Sequence, residues 1–79
     1  MFINKAEDGR NNLCGRKIAV LRKSLGLSQR ELADRLQISG LDVDKNAIQR
    51  IEAGKRFVTD IELKKLSIVF RVTVDSLLE

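Results

Sequence analysis

Two segments near the middle of the chain, GLSQRELADRL at residues 26–36 and VDKNAIQRIEAGKR at residues 43–56, decide the fold. Each contains an apolar residue, then a side chain that can cap a helix, then another apolar residue four positions after the cap. These are Leu27, Ser28 and Leu32 in the first segment and Val43, Asp44 and Ile48 in the second. In this pattern, the hydrophobic staple, the two apolar side chains pack together across the helix start. The segments are therefore predicted to be consecutive helices.

The same start pattern occurs twice more downstream, with residues Val58, Thr59 and Leu63, then Val72, Thr73 and Leu77. Two of the four starts also fit a capping box, in which the cap and a glutamate three residues later bond each other's backbone N–H groups. The paired residues are Ser28 with Glu31 and Thr59 with Glu62. Apolar residues also recur three and four positions apart, the helical period, and proline is absent, so the sequence predicts a chain made of helices, without strands.

The first helix is predicted from a different signal. Asn12 is a candidate cap, and Ile18, Leu21 and Leu25 recur at helical spacing as an inward-facing stripe. Gly26 stands where a helix-ending glycine belongs, and a later glycine, Gly54, ends the third helix in the same way. The fold class is therefore all-α, with five helices at about 13–25, 29–40, 45–53, 60–70 and 74–79.

The connection between the second and third helices allows two registers. The third helix begins either directly after Ser39 or after Asp44. We favour Asp44, because a start at Ser39 places Gly40 in the first turn, where glycine costs about 0.5–1 kcal/mol relative to alanine. That start also separates Val43 from its staple partner. We expect Gly40 to end the second helix and Leu41 to pack beside the turn.

Composition excludes several classes of protein. Seventy-nine residues form one domain, and a chain that is 43% hydrophobic and 33% charged is typical of a globular fold. The chain has no histidine and Cys14 is its one cysteine, so we expect no disulfide, no metal or cofactor and no enzyme activity. Cys14 is expected to be a small buried hydrophobe. No apolar run is long enough to span a membrane or to form a signal peptide, so the expected location is the cytoplasm.

Positive charge is concentrated toward the N-terminus. Residues 1–27 carry six Lys or Arg and two Asp or Glu, whereas residues 57–79 carry three and four. The first part is expected to meet a polyanion, unless the net charge of +4 serves only solubility. The third helix adds side chains that suit base edges in a major groove, since Arg and Lys bind guanine and Asn and Gln bind adenine. The predicted base-contacting residues are Lys45, Asn46, Gln49 and Arg50.

From about Leu13 to Leu78 the sequence resembles the helix-turn-helix family of lambda-type repressors and Cro-like regulators, the XRE family. The resemblance is carried by LRK at residues 21–23, GLSQRELA at residues 26–33 and IQRIEAGKR at residues 48–56. It implies a compact five-helix, lambda-repressor-like fold in which the second and third helices bind double-stranded DNA. The connection at residues 37–43 is longer than the family's usual one, which leaves the docking geometry open.

The resemblance also implies roles for single residues. Lys45, Asn46 and Arg50 correspond to base-contacting positions of the family. Gln29 corresponds to a phosphate-binding residue, in a place where a helix N-terminus favours an anion. A pair between Arg22 and Glu52 serves the structure, clamps a phosphate, or does both. The complete set of expected contacts to the DNA backbone is Arg22, Ser28, Gln29, Arg30, Lys55 and Arg56.

Residues 1–12 are predicted to form a flexible N-terminal arm and residues 13–79 the DNA-binding domain. The predicted function is a transcriptional regulator of repressor type that binds an operator as a homodimer, because two domains on two half-sites supply specificity that one lacks. The expected dimer surface, which alternatively completes the core, comprises Phe70, Val72, Val74, Leu77 and Leu78. The alternative function is an antitoxin-like or adaptor module that binds another protein. RNA binding has less support, because exposed aromatic side chains are scarce.

Overall fold

Residues 5–79, the part of the chain that the computed structural model describes, contain five helices and no strand. The helices are α1 (Gly15–Ser24), α2 (Gln29–Ile38), α3 (Lys45–Glu52), α4 (Asp60–Phe70) and α5 (Val74–Leu78). The predicted all-α fold is therefore confirmed. The predicted bounds of α4 match. Helix α1 is shorter than predicted by two residues at its start and one at its end, and α2, α3 and α5 end two, one and one residues earlier than predicted. In this part of the chain no helix has the length and apolar character needed to cross a membrane.

The four predicted caps are all present. In α2, α3, α4 and α5 the cap side chain accepts a hydrogen bond from the backbone N–H three residues later; the caps are Ser28, Asp44, Thr59 and Thr73. Both predicted capping boxes are complete. The prediction that Asn12 is the cap of α1 is wrong, because the helix begins later, at Gly15, and Cys14 is the residue at its cap position. The Asn12 Oδ1 atom still accepts from the Gly15 N–H at 2.8 Å. Short polar side chains thus satisfy backbone donors that each helix start leaves without a partner.

The left-handed turn that closes α4 was not anticipated from the sequence. Its last residue is followed by Arg71 in the left-handed conformation, with φ 57° and ψ 42°. The Arg71 N–H donates to the Ile68 carbonyl and the Val72 N–H to the Ser67 carbonyl, which closes the helix. A side chain in this conformation costs roughly 1–2 kcal/mol, which a glycine at the same place avoids. This turn directs the chain into α5.

The core lies where α1, α2 and α3 meet and is closed by α4 and α5. Its fully buried side chains include Ile18, Leu32, Leu36, Ile48, Ile51, Leu66 and Leu77. Cys14 is buried as predicted, and burial raises the pKa of its thiol. Ala33, also buried, leaves room on α2 for a neighbouring helix. Leucine, isoleucine and valine thus form most of this core, as the shortage of aromatic residues required.

Two predictions about apolar residues are wrong. Leu25 was placed in the inward stripe of α1 but is 51% exposed, because α1 ends before it and the chain turns away. For Phe70 and Leu77 the dimer surface is wrong and the alternative, completion of the core, holds: they are 8% and 0% exposed, because α4 and α5 fold back onto the core. Of the predicted dimer residues, Val72 and Val74 are half-buried and Leu78 is exposed.

The predicted N-terminal arm contacts the domain through its last residues. Its first four residues lie outside the described part of the chain. Arg10, Asn11 and Asn12 hydrogen bond to backbone carbonyls at and after the end of α3. The flexibility of the arm and the boundary at residue 13 stay predictions.

Candidate nucleic-acid interface

Helix α3 has one face in the core and the other in solvent. Ala47, Ile48 and Ile51 are buried and anchor the helix. The four predicted base-contacting residues, Lys45, Asn46, Gln49 and Arg50, are all exposed. At about 100° per residue they occupy an arc of about 140° that does not overlap the buried arc. The structure therefore brings all four onto one exposed face of an anchored helix.

The connection before α3 is well held, and the register that starts α3 after Asp44 is confirmed. Gly40 has φ +99° and follows the end of α2, as expected. The Gln37 amide donates to the Val43 carbonyl at 2.7 Å, and Val43 itself is buried. From α4, the Lys65 Nζ atom donates to the Ser39 carbonyl at 2.9 Å. These bonds fix the orientation of α3 despite the length of the loop.

The predicted pair between Arg22 and Glu52 is present and points inward. Arg22 donates to the two Glu52 carboxylate oxygens at 2.7 and 3.1 Å, and to the Leu27 carbonyl at 2.8 Å. The Arg22 and Glu52 side chains are 11% and 10% exposed. The hydrogen bond to Glu52 raises the pKa of Arg22 above its usual value. In this free protein Arg22 joins α1 to the end of α3.

Gln29, the predicted phosphate-binding residue, belongs to the same cluster. Its Nε2 atom donates to a Glu52 carboxylate oxygen at 3.1 Å. Sequence reasoning missed this bond, although the expected Arg22–Glu52 pair marked Glu52 as a hub. The bond places the first turn of α2 beside the last turn of α3. Gln29 is half-buried, while its neighbours Ser28 and Arg30 are exposed.

The two basic residues after α3 differ in their surroundings. Lys55 is exposed, and its N–H donates to the Arg50 carbonyl at 2.9 Å. Arg56 instead forms an ion pair with the buried Glu62 carboxylate at 2.9 Å, which the sequence did not reveal. Burial acts to raise the pKa of Glu62, but the hydrogen bonds from Arg56 and from the Thr59 N–H outweigh it and lower that pKa. Of these two residues, Lys55 is the one with an exposed cation.

These placements define the candidate interface. It comprises the exposed face of α3, flanked by the α2 start and residues 54–56. Residues 5–79 hold no cluster of three or more His, Cys, Asp or Glu side chains that could bind a metal ion.

Comparison with known proteins gives a consistent result. A family model described as helix-turn-helix (HTH_3) matches residues 18–77. The chain is similar to the restriction-modification controller protein C.AhdI from Aeromonas hydrophila, with 27% identity, coverage of 80% of this chain and 84% of that chain, and a TM-score of 0.69. It is similar to SinR, a master regulator for biofilm formation, in complex with DNA, with 31% identity, coverage of 84% and 98%, and a TM-score of 0.72.

The fold also matches the DNA-binding domain of BldD, with 24% identity, coverage of 94% of this chain and 100% of that chain, and a TM-score of 0.73. No curated protein sequence gives a significant match.

Proposed function

Because the chain belongs to the XRE family of helix-turn-helix transcription regulators, which bind DNA, we propose that it is a sequence-specific regulator that inserts α3 into the major groove of double-stranded DNA. We further propose that it acts as a repressor-type homodimer on an operator in the cytoplasm. The observation that carries the proposal is the two-sided character of α3. One face is buried, and the other presents two cations and two amides to solvent.

The proposed contacts follow from exposure and chemistry. The side chains of Lys45, Asn46, Gln49 and Arg50 reach base edges, since they match the donor and acceptor pattern of the major groove. Ser28, Gln29, Arg30 and Lys55 contact the DNA backbone, where the α2 start supplies a favourable dipole. Arg22 and Arg56 remain proposed backbone contacts, and each would share its guanidinium between a phosphate and the carboxylate it binds in the free protein.

The test compares one base-facing with one backbone-facing variant. A preferred site is first selected from a random duplex pool, and binding to that site and to random duplex is measured by fluorescence anisotropy. Arg50→Ala should lower the affinity for the selected site by roughly 1–3 kcal/mol and relax the base preference. Lys55→Ala should weaken both duplexes equally and reduce the salt slope by about 1. If the two variants behaved alike on both duplexes, the division into base and backbone contacts would be wrong.

The homodimer has a separate test. With Phe70 and Leu77 in the core, the proposed surface consists of Val72, Val74 and Leu78 at the C-terminal end. Leu78→Glu should shift a dimer to monomer in sedimentation, while Val20→Glu, at an exposed apolar position on α1, should not. A monomeric wild-type protein with a selected site that lacks a palindrome would contradict the dimer.

A second candidate function is the antitoxin-like or adaptor module that binds another protein. It is favoured by Ile61 and Ile68, two exposed apolar residues seven positions apart on α4. Random duplex distinguishes the two functions. A DNA regulator binds it with a dissociation constant of about 10⁻⁴–10⁻⁶ M that rises steeply with salt. An adaptor shows neither the binding nor the slope.

A further inference from the structure

Three consecutive residues before α1, here called the N-terminal clasp (Arg10–Asn12), bind the chain where α3 ends. These residues donate five hydrogen bonds to backbone carbonyls of residues 51–56. Arg10 Nη2 donates to Glu52 at 2.7 Å, Asn11 N to Gly54 at 2.8 Å, Asn11 Nδ2 to Lys55 at 2.9 Å, and Asn12 Nδ2 to Ile51 at 3.0 Å and Arg56 at 2.8 Å. The clasp lies outside α2 and α3, yet it holds the segment that follows α3.

The clasp meets a physical need of this helix end. The last carbonyls of a helix have no partner within the helix and carry partial negative charge. Here the Lys55 and Gly54 N–H groups donate to the Arg50 and Ile51 carbonyls, and the clasp adds a donor to Glu52 and a second one to Ile51. The positive Arg10 side chain complements the charge of the helix end. Because the protein itself donates hydrogen bonds to these carbonyls, the backbone of residues 53–56 is held in a single conformation.

Asn12 joins three parts of the fold with one side chain. Its Oδ1 atom accepts from the Gly15 N–H at the start of α1, and its Nδ2 atom bridges the last turn of α3 and the Arg56 carbonyl. The contact is close, because a Cβ atom added at Gly15 would collide with the Ile51 carbonyl oxygen. The Arg10 side chain bonds only to the last turn of α3, and the Asn11 side chain bonds only to the chain after it.

We propose that Asn12 is a positioning residue for the contact between Lys55 and the DNA backbone. The inference rests on the proposed DNA-binding function. Lys55 is fixed at both backbone groups, since its N–H donates to the Arg50 carbonyl and its carbonyl accepts from Asn11 in the clasp. The backbone from which the exposed Lys55 side chain projects is therefore held in place. Asn12 holds the next carbonyl along the chain, that of Arg56. Without this bond the segment becomes mobile, and the contact between Lys55 and a phosphate forms in only part of the complexes, which lowers both the affinity and the salt slope.

The test uses Asn12→Ser, Lys55→Ala and the double variant. Serine keeps a hydroxyl that can accept from the Gly15 N–H, but it is too short to donate to both carbonyls. Each phosphate contact contributes about 0.9 to the slope of log affinity against log salt, or about eightfold in affinity between 0.1 and 1 M salt. Lys55→Ala should lose one such contact on random duplex. Asn12→Ser should lose part or all of it, and the double variant should bind no more weakly than Lys55→Ala.

A purely structural role for Asn12 predicts a different result. The fold-losses in affinity of the two single variants would then multiply in the double variant, and Asn12→Ser would leave the salt slope unchanged. Either result would overturn the proposal. Thr73→Ala, which removes the cap of the distant α5, serves as a control that lowers stability while leaving the salt slope of the wild type.

Hydrogen exchange of the Lys55 amide tests the clasp without DNA. Asn12→Ser should accelerate this exchange more than Thr73→Ala does, and equal exchange in the two variants would refute the positioning role. If the wild-type protein bound no duplex at any salt concentration, the proposed function and the DNA role of Asn12 would fail together. The exchange data would then still decide whether the clasp fixes residues 53–56.

Discussion

Replacement of Glu52 by alanine is expected to remove much of the stability of this domain. The Glu52 carboxylate accepts three hydrogen bonds, two from Arg22 and one from Gln29, and the ion pair is about nine-tenths buried. Removal of one partner from a buried pair costs about 3–5 kcal/mol, because the other charge stays buried without a counter-ion. We expect a loss near 3 kcal/mol, since a small part of the pair is open to water. A domain of this length is stable by about 4–12 kcal/mol in total.

A double variant separates the charge effect from the loss of packing. Arg22→Met with Glu52→Leu removes both charges and keeps apolar volume, which is often neutral for a buried pair. The Leu27 carbonyl and the Gln29 amide each lose a partner in this variant, at about 1 kcal/mol or less each. The double variant should therefore be more stable than Glu52→Ala by at least about 1 kcal/mol.

The measurement is urea unfolding followed by far-ultraviolet circular dichroism, because the chain has neither tryptophan nor tyrosine as a fluorescent reporter. With an m-value of about 1 kcal/mol/M, a loss of 3 kcal/mol lowers the midpoint by about 3 M. Asp34→Ala, at an exposed position on α2, is the control and should change stability by about 0.5 kcal/mol or less. The reasoning is refuted if Glu52→Ala costs less than about 1 kcal/mol, or if the double variant is as unstable as Glu52→Ala.

Three further predictions concern stability. The folded-state pKa of Glu62 is lowered, so its contribution is present above the ordinary pKa of 4.5 and is lost as pH falls through the folded value. The urea midpoint should fall more steeply below pH 4.5 in the wild type than in Glu62→Gln, and parallel profiles would contradict this. Arg71→Gly should raise stability by about 0.5–1 kcal/mol in thermal melts, since glycine adopts the left-handed conformation without strain; a lower melting temperature would count against it. Gly15→Ala should cost more than about 2 kcal/mol because its Cβ meets the Ile51 carbonyl, while Gly26→Ala, with open space and φ +70°, should cost about 1 kcal/mol. Equal losses at the two glycines would disprove the steric argument.

Local signals in the sequence predicted most of the fold. Ser28, Asp44, Thr59 and Thr73 mark helix starts because a cap bonds a backbone N–H only three residues away. The same short range explains why α4 was predicted residue for residue and why α3 was placed after Asp44 despite the long connection. The exposed face of α3 followed from its period and its buried anchors, without knowledge of the other helices.

Which of the C-terminal apolar residues are buried could not be predicted in the same way. Phe70 and Leu77 have the same apolar character as Leu78, and no local pattern states which of them faces the core. The left-handed turn at Arg71 sets the direction of α5. Since arginine is not a residue that favours this conformation, the sequence carried no signal for it.

By itself the sequence determined which segments are helices, where α2, α3, α4 and α5 start and which face of α3 stays polar, because those features depend on neighbours within one helical turn. The tertiary structure alone decided that Gln29 meets Glu52, that Arg56 pairs with Glu62 and that Asn12 bridges the end of α3. In each case the partner is set by how helices pack, and the geometry of packing is a property of the whole chain.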